Sequence, residues 1–175
     1  MNIVLLGYRG TGKSTVAKYL ARKLGRTVYR IDDLIVESMG KPIPRIVEED
    51  GWSRFREVEA EVVREVCSRA DGAIIDCGGG VVLNGENIAC LKKRGRAVLL
   101  TATLEALMGR IRKDPNRPPL KDGLSFEEEQ RQILAERDEK YRAAADMVLD
   151  TTQQSPGETA REIIQHFREK HWLDE

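Results

Sequence analysis

The chain has no excess of charge of either sign: 29 lysines and arginines balance 29 aspartates and glutamates over 175 residues. Proteins that hold nucleic acid or a membrane surface normally carry a basic face or tail, so this balance argues against both. No apolar run approaches the roughly 18 residues of a membrane span. No basic segment with a long apolar stretch precedes the first apolar run, so no secretory signal is expected. Cysteine is scarce. Cys67, Cys77 and Cys90 show no CxxC pairing and no metal-ligand spacing with His166 or His171. Scattered thiols of odd number fit a reducing cytosol, and each is expected as a small buried apolar side chain. The two histidines fall in the last dozen residues, where a solvated tail is expected. Repeats, linkers and low-complexity segments are also missing, which leaves one domain, residues 1–175, long enough for a proper core.

What is present begins at once. Residues 7–14, GYRGTGKS, satisfy G-x-x-x-x-G-K-[ST], the phosphate-binding loop that joins a strand to a helix. A short apolar run, residues 2–6, precedes it and suits a strand buried on both faces. Val16, Ala17, Leu20, Ala21 and Leu24 follow at helical spacing, with Gly25 as a stop. Glycines let successive backbone N–H groups point at one anion, and the helix adds its positive dipole end. Gly10, Thr11, Gly12, Lys13, Ser14 and Thr15 therefore form the nucleotide site, with Lys13 reaching the β- and γ-phosphates. The Ser14 hydroxyl can ligate the Mg²⁺ that accompanies ATP.

Strands and helices alternate along the rest of the chain, which predicts a parallel α/β sheet with helices on both faces. Strands are expected over 27–31, 73–77, 97–100 and 147–150. A short helical piece over 45–49 is expected before a long helix capped by Ser53. Two further helices open on capping boxes, one at Ser125 with Glu128 and one at Ser155 with Glu158. The three prolines within 114–123 mark a loop.

Ligands of open parallel sheets sit beyond the carboxyl ends of the strands. Reading only those ends picks out the phosphate loop, Asp32, and Asp76 followed by Gly78, Gly79 and Gly80. Asp32 can be the N-cap of the helix after it, a ligand for the second substrate, or both. Three consecutive glycines cost backbone entropy and offer no packing, which suggests a ligand lying against bare backbone. Arg137 falls on one helical stripe with Phe126, Ile133, Leu134 and Tyr141, where an unpaired charge is expensive, so it calls for an anionic partner. Arg56 follows Phe55 and flanks the stripe of Trp52, Val63 and Cys67. Two converging arginines would suit a carboxylate. Arg117, in the proline-bounded loop, can close over a triphosphate and bring charge to the transition state.

In order along the chain, these residues make a pattern that resembles shikimate kinase, a nucleotide-monophosphate-kinase-like P-loop family. The matching residues are GYRGTGKST, the Asp32 to Gly40 spacing, Phe55-Arg56 with Glu59, Gly78-Gly79-Gly80, Arg117-Pro118 with Leu120, and Arg137 four residues before Tyr141. The resemblance implies a three-layer P-loop kinase fold, strand order 2-3-1-4-5, an acceptor-binding region over 33–60 and a mobile lid over 112–124. It implies transfer of the γ-phosphoryl group of ATP to the 3-hydroxyl of shikimate. By matched position, Asp32 would orient or deprotonate the attacking hydroxyl. Arg56 and Arg137 would hold the carboxylate, and the triple glycine would lie under the ring. Lys13 and Arg117 would neutralise the transferring group, and Arg110 would flank the adenine.

The chain departs from that pattern. Where the family usually has an aspartate near the metal's water shell, Arg30 stands; where it often has a small hydroxyl residue, Asp76 stands. Asp76 is the expected substitute carboxylate for Mg²⁺, beside Ser14. Gln153 and Gln154 occupy the place of an arginine that the family tends to carry near the base. Alternative readings are a P-loop kinase for another carboxylated polyol such as gluconate, or a non-catalytic nucleotide-binding module. No Asn-Lys-x-Asp tetrapeptide occurs, which counts against a guanine-reading switch. A cytoplasmic monomer is expected.

Overall fold

The computed structural model describes residues 1–111 and 123–173. Five parallel strands form one sheet in the order β2-β3-β1-β4-β5. They are β1 (Asn2–Leu6), β2 (Val28–Arg30), β3 (Ile74–Asp76), β4 (Gly95–Thr101) and β5 (Met147–Asp150). Between and after them run α1 (Lys13–Leu24), α2 (Ile31–Met39), α3 (Ile43–Arg69), α4 (Gly85–Lys93), α5 (Leu104–Ile111), α6 (Phe126–Ala144) and α7 (Pro156–Glu169).

Alternation within β1 shows why the sheet needs two covering layers. Ile3 and Leu5 face a core built with Val16, Ala17 and Leu20 of α1 and Ile163 and Phe167 of α7. Val4 and Leu6 face the opposite core, with Ile35 of α2, Phe55, Val63 and Val66 of α3, and Ile133 of α6. All five β1 residues are buried, as expected of a central parallel strand. β1 lies between β3 and β4, so the loop that leaves its carboxyl end opens at the middle of the sheet.

Several local expectations change. The pieces expected over 45–49 and from Ser53 are one run, broken only at Gly51, whose φ of 81° and ψ of 165° are non-helical. The positive φ supplies the break, so Ser53 lies inside the helix and caps nothing. Helix α2 begins at Ile31, with extended Arg30 as its N-cap, which places Asp32 in the first turn. Phe126 is 41% exposed and off the apolar stripe of α6, which runs through Gln130, Ile133, Arg137, Tyr141 and Ala144. His166 is not in a solvated tail: it lies in α7, edge-on to Trp172 with ring centroids 5.6 Å apart. Of the three cysteines Cys77 is buried as expected, whereas Cys67 of α3 and Cys90 of α4 are only half-buried, on two helices that pack together.

Candidate active site

The first site element is the loop between β1 and α1. Gly12 caps α1 in a left-handed conformation, φ 95°, which few residues besides glycine adopt. No side chain caps this helix, so its first N–H groups face the cavity beyond the sheet. Lys13 is buried and its Nζ donates to the carbonyls of Gly7 (2.8 Å) and Tyr8 (3.0 Å). The loop is braced from behind. The Thr11 hydroxyl donates to the Tyr8 carbonyl at 2.8 Å. The Tyr8 hydroxyl donates to buried Gln130 of α6.

Beyond this loop lies a cavity of about 410 Å³. Gly10, Thr11, Gly12, Lys13, Ser14 and Thr15 form one side of it. Asp32, Asp76, Gly78 and Gly79 form another, and Arg110, Gln154 and Pro156 close the end nearest α7. Arg110 is tied to backbone: its guanidinium donates to the carbonyls of Gly10 (3.1 Å) and Thr151 (2.8 Å) and to the Thr151 hydroxyl (3.2 Å). Buried Thr151 in turn donates to the carbonyls of Thr11 and Thr101, each at 3.0 Å. Thr151 thus joins the phosphate loop to the ends of β4 and β5, a role that no motif announces. Gln154 is held by Glu162 and Thr159, while Gln153 is exposed.

Of the three glycines Gly78 and Gly79 line the cavity, with Gly80 next to them in the chain, and at Gly78 and Gly80 a side chain would meet atoms already in place. A Cβ on Gly78 would come within 2.8 Å of the Asp32 carboxylate and 3.1 Å of Glu59. A Cβ on Gly80 would collide with the Arg56 guanidinium. A Cβ on Gly79 would lie 3.8 Å from Arg137 and 3.6 Å from the Tyr141 hydroxyl, which donates to the Gly79 carbonyl. The two arginines named from helix geometry therefore come to consecutive glycines from different helices. Arg56 also stacks on Trp52 and Phe55, 5.3 and 5.1 Å from their ring centres.

Glu59 organises this end. It is 1% exposed, accepts from Arg56 at 2.7 Å through one oxygen, and has its other oxygen, among the described residues, buried without a hydrogen-bond partner. Burial pushes its carboxyl above the usual glutamate range, with Asp32 adding to the rise and Arg56 and Arg137 opposing it. Burial likewise pushes the Tyr141 phenol up to about 12, against Arg137. In the sequence Glu59 stands out only within the family resemblance. Yet it lies four residues from both Phe55 and Val63, on the apolar side of α3. The rule that singled out Arg137, a charge on an apolar stripe, finds Glu59 too.

Asp76 lies at the end of β3 with its side chain 6% exposed. Arg30, its register partner on β2, places Nε 3.5 Å from it and NH1 2.6 Å from Asp33. Among the sites named from sequence, Arg117 and most of the expected lid lie outside the described residues.

Comparison with known proteins decides the family. The family model for shikimate kinase matches residues 9–168. The chain belongs to the shikimate kinase family. It is accordingly an ATP-dependent kinase. It is 41% identical to the shikimate kinase of Geobacter metallireducens over 162 residues, 93% of this chain and 89% of that one. It is 40% identical to that of Geobacter sulfurreducens, covering 96% and 91%. The solved structure of shikimate kinase from Acinetobacter baumannii in complex with shikimate superposes with a TM-score of 0.91 at 35% identity, covering 97% and 93%. The Aquifex aeolicus enzyme gives a TM-score of 0.81 at 29% identity. These likenesses agree with the sheet order 2-3-1-4-5 and the helical layers of the kinase fold.

Proposed function

We propose that this chain transfers the γ-phosphoryl group of ATP to the 3-hydroxyl of shikimate, giving shikimate 3-phosphate and ADP. The observation that carries the reading is the approach of Arg56 and Arg137 to consecutive glycines, of which Gly79 also lines the cavity of the phosphate loop together with Asp32. Two guanidiniums suit the carboxylate of a small acid. Asp32, whose carboxylate lies over Gly78, would orient the attacking hydroxyl and take its proton. Lys13 exchanges its loop carbonyls for phosphate oxygens and, with Arg117, neutralises the charge that spreads over the transferring group. Positioning and charge do most of the work, because phosphoryl transfer needs little covalent help. Arg110 and Pro156 flank the base.

Ser14 and Asp76 line the cavity with Lys13 and present oxygen donors. This set fits Mg²⁺, which is usually held by one or two protein oxygens together with phosphates and water. Held by Ser14 and Asp76, Mg²⁺ would supply positive charge that offsets the phosphate charge facing the acceptor hydroxyl. We further assign residues 33–60 to acceptor binding, 112–124 to a lid, and the whole of 1–175 to one kinase domain that acts as a cytoplasmic monomer.

The test is ADP release with ATP and Mg²⁺, with and without shikimate, for the wild type and Asp32→Asn. Release that depends on shikimate and collapses in the variant supports both acceptor and residue. Release stimulated by gluconate instead would move the acceptor and refute the reading.

A further inference from the structure

Arg30 and Asp76 are the last residues of neighbouring strands and stand opposite each other in register. Both line the nucleotide cavity. The Asp76 side chain is almost wholly enclosed, and that of Arg30 is 40% exposed. Their contact is a charge contact rather than a hydrogen bond: Nε lies 3.5 Å from the carboxylate and is, among the described residues, buried without a hydrogen-bond partner. The other end of the guanidinium is anchored on Asp33 at 2.6 Å. Arg30 thus has two carboxylates, one gripped and one only faced.

We propose that Arg30 is a positioning residue that holds Asp76 for the metal and sets how tightly the metal binds. This rests on the assignment of Asp76 to Mg²⁺ above. A buried carboxylate with no cation beside it would be costly, and Arg30 removes that cost before the nucleotide arrives. A carboxylate locked in a bidentate pair would not be free to turn to a metal. Here the pair lacks the hydrogen bond that would lock it, and Asp33 keeps the guanidinium from being orphaned when Asp76 turns. Arg30 also places a positive charge next to a divalent cation. The consequence is a metal affinity held below what Asp76 alone would give, which eases departure of the metal with ADP.

Mn²⁺ serves as a probe visible by electron paramagnetic resonance, titrated into enzyme saturated with a non-hydrolysable ATP analogue. Arg30→Met keeps the length of the side chain and removes its charge. It should tighten Mn²⁺ binding roughly fivefold, the upper range for a part-exposed ion pair. Arg30→Lys should restore most of the wild-type affinity. Asp76→Asn should weaken Mn²⁺ binding roughly tenfold, and in that background Arg30→Met should tighten it less than in the wild type, because only the direct repulsion between Arg30 and the metal remains to be removed. Unchanged or weaker binding in Arg30→Met, with the same result in Arg30→Gln, would overturn the inference while leaving Asp76 as a metal residue. Unchanged binding in Asp76→Asn would instead overturn the metal assignment itself.

Discussion

Alanine at Gly80 separates the acceptor site from the fold. Gly80 has φ −96° and ψ 4°, a conformation open to alanine, so the backbone itself does not resist the change. The atoms nearest the new methyl group all belong to the Arg56 guanidinium. That group is the far end of a flexible side chain and can shift aside; as long as it keeps its ion pair with buried Glu59, the core loses little. Its departure removes one charge-assisted hydrogen-bonding partner from the acceptor carboxylate, about 1.5–3 kcal/mol. At about 1.4 kcal/mol per decade, the KM for shikimate should rise roughly ten- to a hundredfold. The melting temperature should move by no more than a few degrees. Steady-state ADP release at varied shikimate gives the KM, and calorimetry gives the stability. The decisive comparison is Gly80→Ala in an Arg56→Ala background, where the obstacle is gone and the methyl should add nothing. An unchanged KM, or an equal further loss in that background, would refute the steric argument.

Other outcomes follow from the same geometry. Lys13→Ala should lower turnover on the order of 10²–10³-fold, the usual size for one lost transition-state donor, as single-turnover rates would show. Arg137→Ala should mainly raise the KM for shikimate, and an unchanged KM would remove it from the pocket. Glu59→Gln should leave stability at neutral pH unchanged or raised. Because the folded carboxyl is raised, any stability it supplies is present below the ordinary glutamate range and lost as pH rises; denaturant titrations at pH 4 and pH 7 check the sign. Tyr141, with a folded value of about 12, opposes folding increasingly as pH rises from about 10 towards that value. Wild-type stability should therefore fall relative to Tyr141→Phe over that interval, and parallel curves would argue against it.

Much of the molecule was legible from the chain alone because the signals are local. The phosphate loop is specified by residue identities over eight positions, and the strands by apolar runs that only a sheet covered on both sides can bury. Arg137 was legible because a charge on an apolar stripe must find a partner. Boundaries that depend on one backbone torsion were less so: the left-handed Gly51 rather than the hydroxyl of Ser53 breaks α3.

What the tertiary structure alone decided are the meetings between distant segments. The sheet register sets Arg30 opposite Asp76, 46 positions apart in the chain. The packing of α3 and α6 against one loop brings Arg56 and Arg137 to adjacent glycines. Thr151 reaches Thr11 only because β5 joins the sheet beyond β4. Local periodicity determines which side of a helix or strand a residue occupies. Which other residue waits on that side is set by strand order and register, and these belong to the folded chain as a whole.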